Sequence, residues 1–224
     1  NKDRIIKEVF ITKNAHKKIS ENDEIDLNKF NTKIVDSKVI NRILDGYQVH
    51  QGILAISEKK RIVEMNEYDF SNCRRIVFLD NVVDPRNIGA IIRTCSAFNC
   101  KTIITTNKFD QLDEGIVAKA SSGGLEYTDI IASKNLSNCL NQLKKNKFWI
   151  VGFDSEAESD IEDSVFNIQD RTVLIFGDEG KGIRKLTKKL CDMTYRINTT
   201  GEIQSLNVSV AIGIILDKIS LVSG

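Results

Sequence analysis

The chain has 224 residues, 41% of them hydrophobic, which is enough apolar material for one large or two modest packed domains. Its charge is nearly balanced, with 32 Lys and Arg against 31 Asp and Glu, no apolar run reaches membrane-spanning length, and the opening Asn-Lys-Asp-Arg is not a signal peptide. These features predict a soluble cytoplasmic protein with no membrane partner; the missing initiator methionine is expected of a chain trimmed at its start. Five cysteines (Cys73, Cys95, Cys100, Cys139 and Cys191) have no C-x-x-C spacing and lie far from the two histidines, His16 and His50. That pattern predicts reduced structural thiols rather than disulfides or a zinc site, and no metal is expected.

In chain order, the first patterned region predicts a strand over Ile6–Thr12, a helix around Ser37–Leu44 ended by Gly46, and a strand over Gly52–Ser57. Residues 1–60 carry 12 Lys and Arg against 9 Asp and Glu, whereas residues 73–224 carry 19 of each, so the small region is mildly basic. Polar runs at Ser57–Arg61 and Asn66–Ser71 predict a boundary. The expected organisation is a domain over residues 1–58, a linker over 59–72 and a second domain over 73–224.

The second region alternates. Strands are predicted at Arg75–Leu79, Thr102–Thr105, Phe148–Phe153, Thr172–Phe176 and Thr194–Ile197. Helices are predicted near Ile88–Phe98, Leu136–Lys145, Ile183–Leu190 and Val208–Ile219. Such alternation argues for an α/β fold with a mainly parallel sheet covered by helices.

Three loops stand where apolar strands end. The first, Asp80 to Arg93, is stopped by Asp84-Pro85, after which a helix is expected to start near Arg86 or Asn87, with Asn87 as a candidate cap. Arg93 on that helix is either a phosphate clamp, since its planar fork can bond two oxygens, or an ordinary surface arginine. The second, Phe176-Gly177-Asp178-Glu179-Gly180-Lys181-Gly182-Ile183, has the glycines of a loop whose backbone approaches a ligand closely. Its lysine lacks the following Ser or Thr of a P-loop, and its two acids suit a cationic or hydroxyl-bearing ligand better than phosphate. The third, Gly201 to Ala211, leads into an apolar helix with Ser205 as the natural cap, and Asn207 can donate to and accept from the first turn.

In this order and spacing, the three loops resemble the signature of the SpoU, or TrmH-like, RNA ribose 2′-O-methyltransferases. Asn81 to Asp84-Pro85, Asn87, Gly89 and Arg93 is similar to the family's first motif, Phe176-Gly177-x-Glu179-x-x-Gly182 to its second, and Ser205-Leu206-Asn207-Val208-Ser209 to its third. Ala120-Ser121-Ser122-Gly123-Gly124-Leu125-Glu126 resembles the Ser/Ala-Gly turn between the first two. One departure stands out: Ile197 is followed by Asn198-Thr199 where the family usually has Pro-Met. His50-Gln51-Gly52-Ile53-Leu54-Ala55 resembles the ribosomal-protein-like RNA-binding module of the family's ribosomal RNA branch, with His50 read as a packing or hinge residue.

The resemblance implies a knotted (SPOUT-type) α/β methyltransferase domain with a small N-terminal α/β RNA-binding domain, S-adenosyl-L-methionine as cofactor, and a homodimer acting on ribosomal RNA of the large subunit, on a guanosine. Transfer RNA as substrate, or a noncatalytic RNA-binding assembly role, are the alternatives. It assigns Arg93 to a phosphate beside the target ribose, Asn87 to fixing Arg93 or the ribose, and Glu179 and Asn207 to ordering the loops or accepting from the hydroxyl. Gly177, Ile197 and Leu206, with Ser205 nearby, are assigned to the cofactor. The apolar residues of Val208–Ile219 cover more than one face of that helix, which agrees with pairing through it.

Overall fold

The structure, a computed structural model, describes residues 4–21, 25–45, 50–106, 109–161, 171–178, 180–202 and 205–222. Gly46 and Glu179, both singled out in the sequence, lie outside the described residues. The chain divides into two compact units, residues 1–60 and 61–224.

In the first unit β1 (Ile6–Ile11) is flanked by β2 (Thr32–Ile34), parallel, and β3 (Ile53–Ser57), antiparallel, with α1 (Lys13–Glu21) and α2 (Ser37–Ile43) in the connections. Val9, Ile11, Leu27 and Ile40 are its buried apolar side chains. His50 acts as a strut here. Its Nδ1 accepts from the Gly52 amide at 3.0 Å, so Nε2 carries the proton and donates to Asn41 Oδ1 at 2.9 Å, tying α2 to the start of β3.

The second unit contains, among the described residues, eight parallel strands. These are β4 (Val63–Glu64), β5 (Arg75–Asp80), β6 (Thr102–Thr105), β7 (Asp129–Ala132), β8 (Trp149–Phe153), β9 (Ser159–Asp160), β10 (Thr172–Gly177) and β11 (Met193–Arg196). Their order is β4-β7-β6-β5-β10-β8-β11-β9. Strands buried on both faces read as continuous apolar runs, and their side chains alternate between two cores. Val77 and Leu79 of β5, with Leu174 and Phe176 of β10, pack against α3 (Pro85–Ala97), α4 (Glu114–Ser121) and α7 (Val208–Val222). Ile76, Phe78, Val173 and Ile175 point the other way, toward α5 (Leu136–Lys145) and the residues around α6 (Lys185–Leu190).

Three details differ from the sequence reading. The stretch expected as a linker forms β4 and buries Met65 and Phe70, so it belongs to the second unit from Arg61 onward. Helix α3 starts at Pro85, with Asp84 rather than Asn87 as its cap, because the Asp84 carboxylate accepts from the Arg86 amide at 2.8 Å and proline at the first helical position has no N–H to satisfy. Helix α7 is capped by Asn207 rather than Ser205: Asn207 Oδ1 accepts from Ser209 N at 3.0 Å and Ser209 Oγ at 2.6 Å.

Candidate active site

Because the sheet is parallel, the loops after β5, β8, β10 and β11 emerge on one edge, where α/β folds place ligands. A cleft of about 440 Å³ opens there. Phe153 and Phe176, stacked at 4.9 Å on neighbouring strands, form part of its wall. Gly177, Ile197, Ser205 and Leu206, the four residues assigned to the cofactor, all line it, together with Asp154, Glu156 and Asp178.

The wall after β10 is held by backbone contact. The Gly182 amide donates to the Asp178 carbonyl at 2.7 Å, folding the loop so tightly that a Cβ at Gly177 would overlap the Gly182 carbonyl. Gly182 itself has φ of +62°, and a Cβ there would come 2.6 Å from Asp154 Oδ2. Asp154 anchors the far side. It accepts from the amides of Ile183 and Glu156, each at 3.0 Å, and pairs with Lys188 at 3.0 Å. Burial pushes this carboxyl up, but those donors outweigh it and hold the group below the usual carboxylate range.

A second fastening lies beneath the cleft. Asp80, at the end of β5, is fully buried and accepts from Arg184 N at 3.1 Å, Arg184 Nε at 2.7 Å and Thr187 Oγ1 at 2.6 Å. One carboxylate thus fixes the start of α6 to the first loop.

The candidate catalytic residues divide. Asn207 Nδ2 donates to Asn87 Oδ1 at 3.0 Å, so the first and third loops meet side chain to side chain. Arg93 is exposed on α3, does not line the cleft, and makes no hydrogen bond or ion pair through its side chain among the described residues. Its backbone abuts Gly124, in the Ser/Ala-Gly segment. Phe153, Asp154, Glu156 and Asp80 were not singled out in the sequence. The signal available for Asp154 and Glu156 was an acidic stretch directly after an apolar parallel strand.

The cleft fits a mixed ligand. Apolar and aromatic walls suit a flat ring, exposed backbone at the glycines permits close approach, and the acidic side suits a cation and hydroxyls. An open parallel sheet with such a cleft at its carboxyl edge is the architecture of a nucleotide-type cofactor enzyme of the α/β class. The SpoU rRNA Methylase family matches residues 74–217, and the family described as RNA 2′-O ribose methyltransferase substrate binding matches residues 1–63. An "Uncharacterized tRNA/rRNA methyltransferase" of Borreliella burgdorferi is 34% identical over 211 residues, covering 90% of each chain. A "23S rRNA (guanosine-2′-O-)-methyltransferase RlmB" of Haemophilus ducreyi is 34% identical over 206 residues, covering 88% of this chain and 81% of that one. In fold, the SpoU methyltransferase AviRb of Streptomyces viridochromogenes, solved with AdoMet, superposes with a TM-score of 0.76 at 16% identity, over 98% of this chain and 83% of that one. The chain belongs to the SpoU family of S-adenosylmethionine-dependent RNA 2′-O-methyltransferases.

Proposed function

We propose that this protein methylates the ribose 2′-hydroxyl of a guanosine in large-subunit ribosomal RNA, in the cytoplasm, as a homodimer. The observation that carries the site assignment is the convergence of Gly177, Ile197, Ser205 and Leu206 on one cleft. The name of the Haemophilus ducreyi relative and the match of residues 1–63 to a substrate-binding family support the ribosomal substrate over transfer RNA.

When bound, S-adenosylmethionine supplies an electrophilic methyl group on a sulfonium. Gly177, Ile197 and Leu206 hold it by backbone contact and shape, with Ser205 at the rim. The Asn207 carboxamide already receives the Ser209 donors and gives to Asn87, so it orders the first and third loops rather than accepting from the ribose. Arg93 clamps the phosphate beside the target and favours the developing alkoxide, because a guanidinium stays charged and cannot itself act as a base. Holding hydroxyl, methyl and sulfur in line supplies a large share of the rate.

The placement of Arg93 supports the pairing in this reading. An arginine outside its own cleft serves the reaction if it reaches the cleft of a second copy. Val210, a large apolar side chain 50% exposed on α7, supports an apolar meeting surface, and a two-fold dimer brings two small basic units to one RNA. The knotted path implied for the loops around Gly177 and Leu206 belongs to the same reading.

The test is to map 2′-O-methyl marks on total RNA from cells with and without the gene, alongside calorimetry of S-adenosylmethionine on the purified chain. One guanosine mark in large-subunit RNA should vanish, and the protein should bind the cofactor. An unchanged large-subunit map with a missing transfer RNA mark would overturn the substrate.

A further inference from the structure

The strand starts of the second unit share the edge opposite the cofactor cleft, separated from it along β5 by about 17 Å at roughly 3.3 Å per residue. The register there is explicit. Trp149 lies beside Thr172, Thr172 beside Arg75, and the pairing of Ile76 with Thr102 sets Arg75 beside Lys101. Neighbouring strands are about 4.8 Å apart, so Trp149 to Lys101 is a row of about 14 Å on one face of the sheet. Arg74 immediately precedes β5, and Lys147 sits in the turn before β8.

Three of the cations at this edge are not consumed by the fold. Arg74, Lys101 and Lys147 are exposed and make no hydrogen bond or ion pair through their side chains among the described residues. Arg171 shows the contrast. It stands at the same edge, but its guanidinium bonds the carbonyls of Cys73, Asn146 and Phe70 and covers the Phe148 ring, so it is structural. A groove of about 520 Å³ runs between Arg74, Arg75 and Lys101. Two carboxylates line it as well. Asp129 accepts from Tyr68 and Asp69 from Ser71, and the lining cations Arg74, Arg75 and Lys101 outnumber them. Aromatic faces stand at both ends of the row: Trp149 is 38% exposed, and Tyr127, just before β7, is 69% exposed.

We propose that this amino edge is a second RNA-binding surface, a cationic row between two exposed aromatic side chains that takes the phosphodiester backbone of the substrate away from the nucleotide being modified. Exposed cations supply sequence-independent attraction to phosphates, and exposed rings stack with any unpaired base. A helical strand carries one charge per about 3.4 Å, so the row spans about four nucleotides. The proposal rests on the reading that the substrate is RNA.

Trp149 is the one tryptophan in the sequence, so its emission reports on this edge directly. Adding a large-subunit RNA fragment to the full chain should quench it, whereas S-adenosylmethionine alone should not. The variant Arg74→Gln/Lys101→Gln/Lys147→Gln should bind the fragment about tenfold more weakly near physiological salt. The slope of its log affinity against log salt should fall by about two, at roughly 0.7 to 0.9 for each phosphate no longer neutralised. Its cofactor affinity and its kcat at saturating RNA should be unchanged. RNA binding that leaves Trp149 emission untouched, or a variant that keeps both affinity and slope, overturns the proposal while the methyltransferase reading stands. Quenching by polyglutamate and not by RNA also overturns it, in favour of an acidic protein partner. A wild-type chain that binds no RNA overturns both readings.

Discussion

Asp80 is the residue on which the site's framework turns. It has no exposed surface, yet it carries a charge-assisted partner, Arg184, and two further donors from the start of α6. Removing it strands Thr187 Oγ1, itself buried, and the Arg184 amide. Asp80→Ala should therefore lower the unfolding free energy by about 2–4 kcal/mol, less than a fully buried pair because Arg184 is half exposed. Urea denaturation measures this, and a change below the error of the extrapolation would show that the network is idle. The Asp154–Lys188 pair gives a pH signature. Burial pulls the Lys188 ammonium down, but Asp154 and Glu156 outweigh it and raise the group above its usual value. The depressed carboxylate stabilises the fold above its unfolded value of about 3.9, and that contribution fades as pH falls through the lower folded value. The raised lysine stabilises below about 10.4 and is lost as pH rises past its folded value. Asp154→Asn should thus destabilise at pH 7 and approach the parent protein as the medium is acidified below pH 4. A penalty that stays constant with pH would exclude the linkage.

At the scale of elements, the helices over the first core meet closely. A Cβ at Gly89 of α3 would overlap Ala120 of α4 and come 2.8 Å from the Val117 carbonyl, so no side chain fits between the two helices. Gly89→Ala should force them apart and cost about 1–3 kcal/mol, despite alanine's better helix propensity, as read by the thermal midpoint. A stabilised variant would mean that α4 is free to move. This packing also explains what the sequence concealed. The strands β5, β6, β8 and β10 were legible to within a residue or so because they are apolar runs punctuated by Gly, Asp or Asn. Helix α4 was not, since Glu114–Ser121 contains Gly115 and buries only Val117 and Ser121, too few positions to establish a 3.6-residue period. Strands β4 and β9, two residues each, acquire their identity from their neighbours alone. The site divides the same way. Gly177 and Leu206 were assigned through short motifs whose resemblance to the family is local in sequence, whereas Asp80 and Asp154 act on partners 104 and 29 residues away, which no local pattern reveals.

For the whole molecule, the placement of Arg93 decides how many chains make one site. If each site is shared, Arg93→Ala and Asn207→Ala protomers should each be inactive as pure dimers, and mixing them should restore about a quarter of parental activity: random pairing gives half heterodimers, each with one intact site. Single-turnover methylation after subunit exchange measures it. No recovery, or a sedimenting monomer that still methylates RNA, would place Arg93 and its cleft on one chain.

The strand order has a consequence for how the chain is made. Among the described residues, the sheet consists of two sequence-contiguous halves, β4 to β7 and β8 to β11, joined where β5 meets β10. During synthesis the first half emerges long before its seam partner. At about 5–20 residues per second, the roughly 90 residues between β5 and β10 leave the strand Ile76-Val77-Phe78-Leu79 as an uncovered edge for several seconds. Natural edge strands carry charges or prolines to discourage pairing with strangers, and this one carries neither within its apolar run. A nascent chain released after Lys147 should therefore aggregate while the complete chain stays dispersed, by light scattering at equal concentration. On this account the second half of the sheet also serves as the lid that retires a sticky edge, and yield in the cell should depend on how quickly translation passes Thr172.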